Sequence, residues 1–161
     1  MTRIGRWLAL VVLVGTTFGC DRVTKHFAAV TLAGRAGESY LGDTVRLEYA
    51  ENAGAFLSLG DSLPAPIRTG IFTFGTALVL LATVVMAVRL RWSGPPVVGL
   101  ALVFAGGASN LLDRVAHGRV IDFMNIGVGP LRTGIFNVAD VAIMAGVALL
   151  IVMRARGIER T

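Results

Sequence analysis

Four apolar runs constrain this chain more than anything else in it: Ile4–Gly19, Ile67–Val88, Pro95–Leu112 and Ile135–Met153. A helix needs about 20 apolar residues to cross a bilayer core, and each run reaches or approaches that length. The chain has 161 residues, 55% of them hydrophobic and 16% charged, too apolar for a water-soluble domain of this size. The expected fold is therefore an α-helical integral membrane protein with four transmembrane helices. The lone Cys20 excludes an internal disulfide framework, and no Cys/His pairs suggest zinc or iron–sulfur chemistry.

Charge sets the expected orientation. Arg3, Arg6, Arg89, Arg91, Arg154, Arg156 and Arg160 flank one side of a four-span layout, where the sole acid is Glu159. The other eight basic residues share the opposite side with nine of the ten acids. The positive-inside bias then makes both termini and the 89–94 loop cytoplasmic. This distribution also accounts for the net charge of +5 without a basic stripe for nucleic acid.

Arg3 and Arg6, the apolar Trp7–Val14 stretch and Thr17-Phe18-Gly19-Cys20 have the outline of a lipoprotein signal peptide. Thr17 and Phe18 suit such a cut poorly and three further spans follow, so the segment reads as the first span, with Cys20 a small buried residue. Asp21 and Lys25, four apart, share a face if the helix continues. An ordinary interfacial ion pair would look the same.

From Ala33 to Asp61 glycines punctuate the chain, while Tyr40, Leu41, Val45, Leu47 and Tyr49 alternate loosely with Asp43, Arg46 and Glu48. That period predicts a small β platform on the outer side. Its continuation, Glu51 to Gly60, fits either a loop dipping toward the bilayer or an ordinary hairpin. Pro64 and Pro66 precede the second span, to which no chemistry is assigned, and Trp92 is expected at the cytoplasmic interface. Gly106 to Ser109 predict close helix packing in the third. Residues 113–134 are expected to form an outer loop.

The chemistry concentrates between Gly106 and Asp140. Asn110/Asp113 and Asn137/Asp140 repeat one spacing, an amide three residues before a carboxylate, which a helix would place on one face. With Asp122 between them, three carboxylates are expected to meet near the outer edge of the bilayer, where ionisable groups mark function. Two close carboxylates in a half-dry site share a proton, so one activates water while the other donates to a carbonyl. Cys20 has no evident histidine and His117 no evident serine. A metal on Asp113, His117 and Asp122 would be opposed by Arg114 and Arg119. A proton-coupled transporter or a non-catalytic assembly protein would also keep acids near a membrane, but no mid-bilayer charge pathway or broken-helix repeat supports transport.

Five blocks, Asp21-Arg-Val-Thr-Lys25, Glu51-Asn52-Ala-Gly54-Ala, Asn110-Leu-Leu-Asp113-Arg114, Gly118-Arg-Val-Ile-Asp122-Phe123 and Phe136-Asn137-Val-Ala-Asp140, resemble the signatures of lipoprotein signal peptidase (signal peptidase II), in that family's order. The resemblance covers most of the chain. It implies an intramembrane aspartic endopeptidase that cuts bacterial prolipoproteins just before a diacylglyceryl-modified cysteine, with Asp122 and Asp140 catalytic. Asn52, Gly54, Asn110, Arg114 and Asn137 would bind substrate or orient the dyad, Asp113 would support that network, and Asp21 and Lys25 would be structural. It further implies four transmembrane helices, a small extracytoplasmic β-cradle and a short outer helix, in a monomeric enzyme of the bacterial inner membrane that needs no cofactor or metal. Its partners would be diacylglyceryl-prolipoproteins, membrane lipids and globomycin-type inhibitors. Many relatives carry glycine where this chain has Ser109, a change expected to touch helix packing more than chemistry, and Phe56 falls one place earlier than the commoner form.

Overall fold

The computed structural model describes residues 2–54, 64–90 and 95–156. Trp92 and the 55–61 part of the expected outer region lie outside them. In chain order the elements are α1 (Arg3–Thr31), β1 (Glu38–Tyr40), β2 (Val45–Asn52), α2 (Ala65–Arg89), α3 (Pro96–His117), β3 (Val120–Val128), β4 (Leu131–Arg132) and α4 (Val138–Ala155). All four helices are long and apolar enough to cross a membrane.

The helices overrun the apolar runs at their polar ends. α1 continues to Thr31, well past Gly19, and α3 to His117, past Leu112. Hydropathy stops early because Asp21, Lys25, Asn110 and Asp113 interrupt it, yet these side chains are buried against neighbouring helices and not exposed to lipid. At 1.5 Å per residue the 29 residues of α1 span about 44 Å, more than a hydrocarbon core of about 30 Å. α3 stops at Gly118, whose φ of 73° supplies the left-handed C-cap that a side chain resists. α4 starts later than Ile135, because Asn137 has extended backbone and caps the helix. Cys20 is exposed on α1, not buried.

α3 is the central helix, largely buried, while the other three present rows of Val, Leu, Ile and Phe outward. In water such faces would aggregate; in lipid they are the required surface. α3 and α4 approach closely through glycines. A Cβ on Gly106 would stand 2.4 Å from the Ala139 carbonyl oxygen, and one on Gly146 2.5 Å from that of Gly99. Gly106→Ala is therefore expected to force the helices apart and cost about 2 kcal/mol, read as a fall in Tm in detergent. Gly70→Ala on α2, where a Cβ would meet nothing within 4 Å, is the control and should not lower Tm.

The sheet is antiparallel throughout, in the order β1-β2-β3-β4. Half of it comes from residues 120–132, within the segment expected to be a loop. β3 escapes an alternation test because its inward positions include Asp122 and Asn125, both buried, beside Val120 and Phe123. Among the described residues there is no short outer helix.

Candidate active site

The register of the sheet sets the first half of the site. Asp122 on β3 lies opposite Ala50 on β2, and a bulge between Leu47 and Ala50 adjusts that pairing. Asn52, two residues beyond Ala50, points from the same face, and its Nδ2 donates to Asp122 Oδ2 at 3.0 Å. Its Oδ1 accepts from the Gly54 backbone N–H at 3.0 Å, which fixes the amide's orientation.

The second half is built at the start of α4. Asn137 and Asp140 form a reciprocal capping box: Asn137 Oδ1 accepts from the Asp140 N–H at 2.9 Å, and Asp140 Oδ2 accepts from the Asn137 N–H at 3.1 Å. This corrects the reading of the two amide–carboxylate repeats as equivalent helical pairs. Only the Asn110/Asp113 pair lies wholly on a helix; Asn137 precedes the helix that carries Asp140, and the spacing of three serves the cap. Freed from helical geometry, Asn137 Nδ2 donates to Asp122 Oδ1 at 2.6 Å. One asparagine thus binds both carboxylates, one through its side chain and the other through its backbone.

Asn110 on α3 completes the donors, its Nδ2 reaching Asp140 Oδ1 at 2.9 Å. Among the described residues, every hydrogen bond to the Asp122 and Asp140 carboxylates comes from an asparagine, and no cation is in direct contact with either. Burial pushes the Asp122 carboxyl up to about 6, and the nearby Asp140 charge adds to the rise; hydrogen bonds from Asn52 and Asn137 and the Lys25 charge oppose it. A carboxyl in that state exchanges its proton near neutrality.

Asp113 does not join the pair. It is buried and turned toward Lys25, whose Nζ lies 2.8 Å from its Oδ2, and toward Arg22, which also pairs with it. His117 is exposed at the end of α3. The expected meeting of three carboxylates is in fact a meeting of two, with Asp113 on the far side of Asn110. Among the described residues no three His, Cys, Asp or Glu side chains are grouped to hold a metal ion. Arg114 donates from Nη2 to the Gly54 carbonyl at 3.1 Å and so tethers the chain at the point where it leaves β2.

Asp21 and Lys25 are far more than an interfacial pair. Asp21 is fully buried and Lys25 is 1% exposed, and they pair at 2.7 Å. Asp21 accepts from Ser109 Oγ at 2.6 Å and from the Ala139 N–H at 2.8 Å, while Lys25 Nζ donates to Asn110 Oδ1 at 2.7 Å. This cluster joins α1 to α3 and α4 and lies one residue from both Asn110 and Asp140. Sequence reasoning missed Ser109 and Arg22 as members. Ser109 is hidden in a run of small residues that reads as packing surface, although its departure from glycine was a signal.

The family model described as signal peptidase (SPase) II matches residues 13–156. The lipoprotein signal peptidase of Chlorobium phaeobacteroides is 33% identical over 156 residues, covering 92% of this chain and 88% of the relative. That of Rhodococcus jostii is 32% identical, covering 96% and 76%. A bacterial membrane enzyme solved by the in meso method at 2.3 Å shares the fold, with a TM-score of 0.81 at 24% identity over 92% of this chain and 88% of that one. With a family model spanning nearly the whole chain and relatives above 30% identity along most of their length, this protein belongs to the signal peptidase II family.

Proposed function

We propose that this protein is an intramembrane aspartic endopeptidase that removes signal peptides from diacylglyceryl-modified prolipoproteins, cutting immediately before the lipidated cysteine. The observation that carries the reading is the sharing of Asn137 by Asp122 and Asp140, two carboxylates on different elements, hydrogen-bonded among the described residues only by asparagines. Neutral amides orient carboxylates without removing their charge, so one stays basic enough to take a proton from water while its partner, protonated, donates to the scissile carbonyl. A fixed arginine would have locked a carboxylate in its ionised form. Arg114 is instead engaged with Gly54, where its fork of donors faces the β2 end of the site and suits a substrate carbonyl. Asn52 and Asn110 orient the dyad, and Asp113 acts at one remove through Lys25 and Asn110.

The topology suits a lipidated substrate. α1 and α3 run toward the site and α4 runs away from it, so the site lies at the end of the bundle opposite both termini. With the termini cytoplasmic by the positive-inside bias, the dyad faces the outer side of a bacterial inner membrane, where acyl chains can remain between helices while the peptide enters below the sheet. The enzyme acts as a monomer, takes membrane-embedded prolipoproteins and is open to globomycin-type inhibitors.

The test is cleavage of a diacylglyceryl-prolipoprotein in membranes, with the product's N-terminus identified by mass spectrometry. The parent should release a product beginning at the modified cysteine, and Asp140→Asn should lower the rate about 10³-fold. Cleavage elsewhere, or a normal rate for Asp140→Asn, defeats the reading.

A further inference from the structure

The first turn of α4 carries Asp140, and the N–H groups of a first helical turn need partners from outside the helix. Within the cap the Asp140 N–H goes to Asn137, but the Ala139 N–H goes to Asp21 Oδ1 at 2.8 Å, so a second cap is supplied by α1. The helix dipole favours a carboxylate in that place. Ala139 is held through its carbonyl as well, which lies so close to Gly106 of α3 that a Cβ there would stand 2.4 Å from the oxygen. Asp140 is the next residue in the chain. Whatever aims Asp21 therefore acts on the backbone that carries Asp140.

Asp21 Oδ2 takes two donors, Lys25 Nζ at 2.7 Å and Ser109 Oγ at 2.6 Å. Lys25 is divided among Asp21, Asp113 and Asn110, whereas Ser109 gives its one proton to Asp21. A hydroxyl on a helix commonly donates to the carbonyl one turn back, and Thr16, Thr24, Thr31 and Thr76 do so here, each to the residue four before it. Ser109 instead reaches across to α1. It is fully buried, so water cannot stand in for its hydroxyl. Its neighbour Asn110 holds the Asp140 carboxylate itself. We infer that Ser109 is a positioning residue for the acidic pair: its hydroxyl aims Asp21 at the Ala139 N–H, which sets the first turn of α4 and hence the place of Asp140 relative to Asp122. The kinetic consequence rests on the proposed endopeptidase activity; the structural one does not. A hydroxyl that merely filled polar space between α1 and α3 would leave both the α4 turn and turnover untouched.

Ser109→Ala in the full chain separates the two. Hydrogen exchange at the Ala139 amide, read by NMR in detergent, should quicken about 10-fold, because the carboxylate that accepts this proton loses a donor. In prolipoprotein cleavage kcat should fall about 10-fold, with KM unchanged because a fully buried side chain touches no substrate. Ser109→Cys, similar in shape but a weak donor, should lie between parent and Ser109→Ala in both readouts, and it remains informative if Ser109→Ala fails to fold. Thr83→Val, which removes a buried hydroxyl from α2, should change neither. Unaltered exchange at Ala139 overturns the inference whatever the activity. Faster exchange with the parent's kcat, a loss confined to KM, or equal losses in Thr83→Val would overturn it too. A parent that cleaves nothing defeats the proposed function instead, and exchange at Ala139 then decides alone whether Ser109 holds the turn.

Discussion

Asp122→Asn is expected to abolish prolipoprotein cleavage while making the protein no less stable at neutral pH, a combination that separates a catalytic carboxylate from a structural one. Asp122 is 3% exposed and its carboxyl is raised to about 6 from 3.8. A raised value means that the folded chain holds this proton more tightly than the unfolded chain does. The stabilising contribution of the proton is complete below about pH 4 and is lost as pH rises through 6, so the ionised group burdens the fold at pH 7.5 by about 3 kcal/mol. Asparagine removes that charge but sets an NH₂ against one of the two amide donors, from Asn52 and Asn137, which costs about 1–2 kcal/mol. The net gain of about 1 kcal/mol corresponds to a Tm about 3 °C higher at pH 7.5. Since the parent regains its proton in acid, the difference should vanish by about pH 4.5. Activity should fall about 10³-fold at every pH. A variant that melts well below the parent at pH 7.5, or that still processes substrate, would show that Asp122 serves the fold.

The membrane class was legible in the sequence; the residues themselves offered three carboxylates, the family resemblance singled out Asp122 and Asp140, and the scaffolding that joins these two was not legible. Apolar runs report where a helix touches lipid, so they located four spans but ended α1 and α3 where polar residues begin, although Asp21, Lys25, Asn110 and Asp113 continue both helices into the protein interior. Residues 120–128 read as loop because a strand whose buried positions include Asp122 and Asn125 has no apolar alternation. The Asn137–Asp140 spacing was visible, but spacing alone does not distinguish two residues on one helical face from an N-cap and its third residue; only the extended backbone at Asn137 decides that. Ser109 and Arg22 bind carboxylates 88 and 91 residues away, and no local pattern encodes such pairings.

The largest loss of stability should follow Lys25→Met. Methionine keeps the length and apolar stem of lysine and removes only Nζ, which lies within 2.8 Å of Asp21 Oδ2, Asp113 Oδ2 and Asn110 Oδ1. The two carboxylates are then left buried with fewer counter-charges. Among the described residues Asp113 keeps Arg22, whereas Asp21 keeps the Ser109 hydroxyl and the Ala139 N–H. Breaking a buried pair in this way costs about 3–5 kcal/mol, against about 1 kcal/mol for an average substitution. If that penalty is the stranded charge of Asp21, neutralising it should restore part of the loss: Asp21→Asn/Lys25→Met should melt above Lys25→Met alone, with a coupling of about 1–3 kcal/mol. A purely steric defect would instead deepen in the double variant. The same lysine holds Asn110 Oδ1, and that bond keeps Asn110 Nδ2 aimed at Asp140. Without it Asn110 Oδ1 keeps the longer bond from Asn137 Nδ2 at 3.3 Å, and the amide is held less firmly against Asp140, so the double variant should recover stability but not full activity. Recovery of both would mean that Lys25 serves the helices alone; recovery of stability without activity makes it the link through which α1 positions the acidic pair.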